Sequence, residues 1–173
     1  MRGKSLIVLA GLLAMAPVSF GDDVRFDSQE LAFLRQRASD DIYMWRLSEY
    51  ASEHAATDAV KQLGKDIVKE RRTDLRDIEQ LSQDHHAGIE QPKDMTLQQK
   101  GKYDALTAQS GTTFDKGFTK TVVQDYSVAV PQLDRESGHA AHDAVKEYAK
   151  KNLQMFKDHQ KQAEDAQKVA WGS

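Results

Sequence analysis

The sequence predicts an all-α protein, a bundle of four long helices in which one connection is long and contains a short extra helix. From Asp27 onward, apolar residues recur three and four positions apart, and no stretch alternates for long between apolar and polar residues. The first spacing is that of one face of an α-helix, whereas alternation would indicate a strand. Each long segment carries only one apolar stripe, so the helices require one another as packing partners, and a bundle is the ordinary solution.

The first predicted helix runs from about Ser28 to Glu53. Asp27 and Ser28 are capping residues ahead of Glu30, which is a typical arrangement at the start of a helix. The apolar positions of this segment are Leu31, Leu34, Ala38, Ile42, Trp45, Leu47 and Ala51.

The second predicted helix, from about Ala56 to His85, has the clearest pattern. Its other faces carry charged residues that solvate the helix and can pair across its turns. Gly88 and Pro92 end the helix and begin a loop. The residues of its inward stripe are Val60, Leu63, Ile67, Asp74, Ile78 and Leu81.

The connection from about Gly88 to Gly111 decides the topology. Thr96 and Gln99 have the spacing of a capping box, which predicts a short helix that ends at about Ala108. The connection is long enough to travel the length of a bundle, whereas the other two links are short. One long crossover is the ferritin-like topology, and chain length alone leaves a plain up-and-down bundle as the alternative.

The third long helix is predicted to begin at Thr112 or Thr113, and Pro131 is predicted to kink or end it. Its helical spacing is carried by Phe114, Phe118, Val122, Asp125 and Ala129. The fourth helix runs from about Ala141 to Val169. Its inward positions are Val145, Ala149, Asn152, Phe156, His159, Ala163 and Ala166.

The amino-terminal segment has the pattern of a secretory signal peptide. Basic Arg2 and Lys4 precede an apolar run from Leu6 to Pro17, and small residues then occupy the positions that a signal peptidase reads. The run is shorter than the roughly 20 residues that a spanning helix needs, and two acidic residues follow it. We therefore expect cleavage after Gly21.

Composition limits the chemistry of the remaining chain. The 173 residues include no cysteine and carry a formal net charge of -3. The first fact excludes a lipid-anchored cysteine, thiolate catalysis, cysteine-ligated zinc and iron–sulfur clusters. The second gives no sign of a nucleic-acid partner. We expect residues 22–173 to form one domain in the periplasm or outside the cell, without a membrane span.

Several short segments occur in an order and spacing that point to a known family. They are Ala59-Val60-Lys61-Gln62-Leu63-Gly64 leading to Ile67-Val68, Phe114-Asp115-Lys116-Gly117-Phe118 leading to Val122-Val123-Gln124-Asp125, and Leu153 to Phe156 with His159. Together they resemble the bacterial secreted family catalogued as domain of unknown function 4142, over roughly Phe26 to Ala166. The most specific element is Phe-Asp-x-x-[Phe/Tyr] after a Ser-Gly break. The resemblance implies a ferritin-like bundle.

The same resemblance implies a place for a metal in the bundle core. In typical members each long helix offers one inward polar residue, a Glu in the first helix and a His in each of the other three. Such a set resembles a site for iron, manganese or zinc. The corresponding residues here are Met44, Arg71, Tyr126 and His159, so only the last matches. The other three are poor ligands, and a guanidinium repels a metal cation.

These substitutions suggest that an ion pair centred on Arg71 replaces the metal site. A buried Arg71 must be paired, because an isolated buried cation costs several kcal/mol. We expect Asp125 or Asp40 as its partner, and hydrogen bonds from Tyr126 or His159. The predicted polar cluster in the core is Asp40, Glu70, Arg71, Asp125, Tyr126 and His159. If this register is off by one, Arg71 is a surface charge beside Arg72.

Other candidate sites have simpler interpretations as well. His85 and His86 could bind a metal at the surface or could solvate a helix end, where an imidazolium complements the helix dipole. His139 and His142 could likewise hold a divalent ion, but two ligands are few. The segment Tyr43-Met44-Trp45 places large groups on several sides of a helix, which suggests a contact between copies of the chain.

The sequence shows no phosphate-binding loop, nucleophile elbow or Glu-x-x-His pair, so we assign no catalytic residue and no enzymatic activity. The leading expectation is an extracytoplasmic binding or structural module without an intact metal centre and without a cofactor. One alternative is a ferritin-like metalloprotein that holds iron, manganese or zinc through His159 and nearby carboxylates. A second is a periplasmic stress or chaperone-like protein, which the segment Met95-Thr96-Leu97-Gln98-Gln99 faintly resembles. The partner is not specified.

Overall fold

The computed structural model describes residues 25–172, and within them it confirms the all-α prediction. The predicted signal peptide and its cleavage position lie outside the described residues and stay predictions. No strand occurs between residues 25 and 172. The five helices are α1 Ser28–His54, α2 Asp58–Asp84, α3 Leu97–Thr107, α4 Gly111–His139 and α5 Asp143–Trp171.

Two antiparallel helix pairs, α1 with α2 and α4 with α5, make up the bundle. Asp115, at the start of α4, accepts hydrogen bonds of 2.9 Å from the backbone N–H groups of Ala56 and Thr57, in the turn between α1 and α2. At the other end, Glu30 of α1 accepts a 2.8 Å bond from the backbone N–H of His142, just before α5. Helix α4 is therefore antiparallel to α1, α5 is antiparallel to α2, and the connection through α3 runs from one end of the bundle to the other.

Side-chain caps explain where two of the helices begin. Asp27 accepts hydrogen bonds of 2.8 Å from the backbone N–H groups of Gln29 and Glu30, and the Glu30 carboxylate accepts one of 3.0 Å from the Asp27 N–H. Thr96 and Gln99 form the predicted capping box at the start of α3, with bonds of 3.2 and 2.9 Å. Each cap satisfies backbone donors that have no partner within their helix.

Helix α4 does not end at Pro131, as the sequence had allowed, but continues to His139. A proline removes one backbone donor from a helix, which weakens it locally without unfolding it when packing holds both sides. Ala129 and Leu133 flank the proline and are buried at 2% and 0% exposure. Packing of this face against the bundle is therefore sufficient to carry the helix through the proline.

Most residues of the predicted inward stripes lie in the core, and α1 and α2 approach each other closely at Gly64. A Cβ atom at this position would lie 2.8 Å from the backbone oxygen of Ser48 and 2.8 Å from the backbone nitrogen of Ser52. Only glycine permits this contact between the two helices. Within residues 25–172, no helix is long and apolar enough to cross a membrane.

Candidate functional site

Two arginines are buried in the middle of the bundle. Arg37 of α1 and Arg71 of α2 are 1% and 0% exposed and are among the largest fully buried side chains. Phe156 of α5 contacts both of them, because the two guanidinium carbons lie 4.7 and 4.5 Å from the centroid of its ring. Of the two registers considered for Arg71, the structure has the one that faces the core, whereas Arg72 is exposed. Buried cations require partners, since desolvation of each costs several kcal/mol.

Arg71 is paired with carboxylates from three directions. Its Nη1 donates to Asp41 Oδ1 at 2.9 Å, and its Nη2 donates to Asp125 Oδ2 at 2.5 Å. Its Nε lies 3.2 Å from Glu70 Oε1, an ion-pair distance without the geometry of a hydrogen bond. The guanidinium thus connects α1, α2 and α4.

The predicted partner Asp40 does not contact Arg71, and its neighbour Asp41 takes that place. Successive residues on an α-helix point about 100° apart, so only one of the two carboxylates can face the core. The side chain of Asp40 is partly exposed, and Gln36 donates hydrogen bonds of 3.0 and 3.1 Å to its two oxygens. Of the two partners predicted for Arg71, Asp125 is present in the structure, and the prediction of Asp40 was wrong by one residue.

Tyr126 and His159 both form their hydrogen bonds with Glu70 rather than with Arg71, although the Arg71 guanidinium carbon lies 5.0 Å from the centroid of the Tyr126 ring. The Tyr126 hydroxyl donates a 2.9 Å hydrogen bond to Glu70 Oε1, and His159 Nδ1 pairs with Glu70 Oε2. The bond to Glu70 raises the pKa of His159 above its usual 6.5, although partial burial opposes the shift. Glu70 thus joins α2 to both α4 and α5.

A second set of contacts, which the sequence analysis missed, is centred on Arg37. Its Nη2 donates to Asp41 Oδ1 at 2.6 Å and to Asp74 Oδ2 at 3.2 Å. The Tyr148 hydroxyl of α5 donates to Asp74 Oδ1 at 2.5 Å. The sequence contained one signal of this set, since Asp74 interrupts an apolar stripe. We refer to all of these side chains as the buried polar network: Arg37, Asp41, Glu70, Arg71, Asp74, Asp125, Tyr126, Tyr148 and His159.

The charges of the buried polar network nearly cancel. It contains four carboxylates against two arginines, and His159 adds a third positive charge when it is protonated. Burial raises the pKa of Asp41 well above its usual 3.8, and nearby Asp74 adds to the shift, whereas Arg37 opposes it. A proton held by Asp41 would make the network neutral, which is the state that a low-dielectric interior favours.

The network does not fit a metal ion in the bundle core. Both oxygens of Glu70 already interact with Tyr126 and His159, and Asp125 is bonded to Arg71. Met44, at the first expected ligand position, is fully buried and brings no oxygen or nitrogen donor. Among residues 25–172, no group of three or more histidine, cysteine, aspartate and glutamate side chains is arranged to hold a metal. The guanidinium of Arg71 provides the positive charge between the carboxylates.

Two of the histidines outside the core, His85 and His142, are held by other contacts. His142 Nδ1 lies 2.5 Å from Glu30 Oε2, next to the backbone bond between the same residues. Phe26 contacts both His85 and His142, with ring centroids 5.2 and 5.4 Å apart. His86 has a positive φ of 49° in the turn after α2. These contacts join the two helix ends at one end of the bundle.

A groove of about 650 Å³ between α1, α3 and α4 adjoins the buried polar network. Asp125, whose side chain is 15% exposed, lines this groove and also binds Arg71. Tyr43 is 9% exposed and lines the groove with its neighbour Met44, and Asp40 lies there as well. The groove has the volume and the mixed apolar and polar lining that small-molecule sites commonly have.

Comparison with known proteins gives a family and a fold. A family model described as "Domain of unknown function (DUF4142)" matches residues 17–166. No curated protein matches the chain. A solved structure, described as "Crystal structure of DUF305 fragment from Deinococcus radiodurans", superimposes with a TM-score of 0.71 at 14% identity, covering 83% of this chain and 97% of that one. At this identity the likeness shows the helical fold alone.

Proposed function

Since the chain belongs to the family described as a domain of unknown function (DUF4142), whose description names no activity, we propose its role from the core. The protein is a non-catalytic binding or structural module with a ferritin-like topology and without an intact metal centre. The observation that carries this proposal is the position of Arg71, whose guanidinium binds carboxylates of α1 and α4 in the middle of the bundle.

The contacts of the network support a structural role for it. Every one of its charged groups is paired with another member, and of these groups only Asp125 and His159 reach the surface. The pairs join all four long helices, and removal of one partner from such a pair leaves a buried charge uncompensated. The groove next to Asp125 is the place where we propose that a binding module of this kind would hold a small ligand.

Metal analysis of the purified, untagged protein tests the proposal against the metalloprotein alternative. Dialysis against iron(II), manganese(II) and zinc(II) in turn, followed by inductively coupled plasma mass spectrometry, should leave less than one equivalent of each metal. His159→Ala is the informative variant, with His139→Ala as a control for surface binding. Stoichiometric binding that is lost in His159→Ala and kept in His139→Ala would establish the metalloprotein instead.

The location of the protein is a separate proposal, which rests on the amino-terminal sequence pattern. We propose that the protein is exported to the periplasm or secreted after cleavage following Gly21. Fractionation of cells that express the full chain, followed by mass measurement of the recovered protein, tests this directly. Recovery of the uncleaved chain in the cytoplasm would contradict it.

A further inference from the structure

A basic groove lies on the outer side of α1 and α2, away from the buried polar network. Its volume is about 560 Å³, and Lys65, Lys69, Arg72 and Arg76 of α2 line it. These residues are exposed, and their spacing of four, three and four places them along one stripe of the helix, about 16 Å long. Among the described residues no acidic side chain lines the groove, and Glu49 lies beside it, 3.3 Å from Arg72. The positive charge is therefore concentrated in this groove, because the chain as a whole has a negative net charge.

The remaining lining of the basic groove is mostly apolar. Trp45 of α1 lies there with Val68 and Leu75 of α2. The guanidinium carbons of Arg46 and Arg72 lie 4.6 and 4.7 Å from the centroid of the Trp45 ring. The indole Nε1 is buried and has no hydrogen-bond acceptor within residues 25–172. A groove that combines apolar side chains with four cations, of which only Arg72 is ion-paired among the described residues, is suited to an anion that also has an apolar part.

We propose that the basic groove binds the phosphate headgroup of an anionic phospholipid at a bilayer surface. The stripe of lysines and arginines would contact lipid phosphates, and the apolar lining would contact the glycerol region next to them. Trp45 and basic side chains are both typical of protein segments at a membrane interface.

A nucleic acid fits the basic groove less well than a lipid headgroup does. Single-stranded nucleic acids bind through bases that stack on aromatic rings. The ring of Trp45 is already in contact with two guanidinium groups, so it is less available for such stacking. The proposal does not depend on the state of the core, because the groove and the network lie on different sides of α2.

Co-sedimentation with vesicles tests this inference on the full chain. Binding to phosphatidylcholine vesicles is compared with binding to vesicles that also contain phosphatidylglycerol, for the unaltered protein and for Lys65→Gln/Lys69→Gln. The matched control is Lys157→Gln/Lys161→Gln, which removes the same charge from α5; Lys157 pairs with Asp134 of α4, away from the basic groove. All proteins retain the apolar run of residues 6–17, so its contribution to binding is common to them.

We expect the unaltered protein to prefer the anionic vesicles and to lose this preference as salt is raised. The groove variant should bind them about tenfold more weakly or worse, and the control should change by less than about twofold. Equal binding to both vesicle types, or an equal loss in the two variants, would overturn the proposal. So would full displacement by soluble glycerol phosphate, which would identify a free phosphate ligand, or a preference for a single-stranded oligonucleotide over anionic vesicles.

Discussion

The guanidinium carbon of Arg71 lies 4.5 Å from the centroid of the Phe156 ring, so a permanent positive charge on α2 packs against an aromatic ring of α5. Arg37 contacts the same ring at 4.7 Å. A cation over an aromatic face is stabilised by the ring's electron density, and more so when water is excluded. Phe156 thus packs against both buried arginines within a largely apolar core. Because buried arginines need polar partners, the stability of the fold depends on the side chains that pair with them.

Removal of the charge at Arg71 should strongly destabilise the fold. Arg71→Met keeps much of the side chain's volume but leaves Asp125 without its partner and leaves Asp41 with Arg37 as its only cationic partner. We expect the free energy of unfolding in urea to fall by about 3–5 kcal/mol. Arg76→Met, at an exposed position on the same helix, is the control and should change it by no more than about 0.5 kcal/mol. A similar small effect for both variants would show that the buried pair contributes little.

The hydroxyl of Tyr148 should contribute measurably through its bond to Asp74. Tyr148→Phe removes the donor and leaves one oxygen of a fully buried carboxylate unpaired. We expect a loss of about 1–3 kcal/mol in the free energy of unfolding. Tyr103→Phe is the matched control, because no hydrogen bond of its hydroxyl is present among the described residues. Equal stability of the two variants would contradict this assignment.

His159 should make stability depend on pH. Its pKa is raised in the folded protein by the hydrogen bond to Glu70, so its stabilising contribution is complete below pH 6.5 and is lost as pH rises through the raised pKa. The difference in unfolding free energy between the unaltered protein and His159→Gln should therefore be larger at about pH 6 than at about pH 9. Urea unfolding across this range measures it, and a difference that does not vary with pH would refute the prediction.

A methyl group at Gly64 should force α1 and α2 apart. Gly64→Ala places a Cβ atom 2.8 Å from two backbone atoms of α1, which cannot move aside as a flexible side chain can. We expect the free energy of unfolding, measured by thermal unfolding, to fall by about 1–3 kcal/mol. Gly101→Ala in α3, where a Cβ atom meets nothing within 4 Å, should be neutral or stabilising by up to about 1 kcal/mol. A stable Gly64→Ala protein would mean that the helices can separate without cost.

The positions of the helices could be predicted from the sequence because local signals specify them. The capping residues Asp27 and Thr96 lie at the starts of α1 and α3 because each satisfies backbone donors only a few residues away. The spacing of apolar residues showed which side of each helix is buried. Pro131 was the exception, since packing on both sides of the proline outweighs the lost backbone bond.

The contacts between polar residues in the core were harder to predict. They depend on how each helix is rotated about its axis and on how deeply each side chain is buried. The change from Asp40 to Asp41 is a turn of about 100° around the helix. An apolar stripe that is itself about 100° wide does not show which of two neighbouring residues at its border faces the core. Arg37 was missed because a charged residue within a helix ordinarily indicates solvent. Its burial becomes favourable only when Asp41, Asp74 and Phe156 are brought together from three helices.

The sequence by itself determined the helical class, the caps, the inward stripes and the family resemblance, since these depend on spacing along one chain. The tertiary structure decided that Arg71 faces the core between Asp41 and Asp125, that Tyr126 and His159 bind Glu70, and that four basic residues of α2 line a groove with Trp45. The reason is physical: a buried charge is tolerated only where opposite charges from other helices reach it, and that condition exists only after the helices have packed.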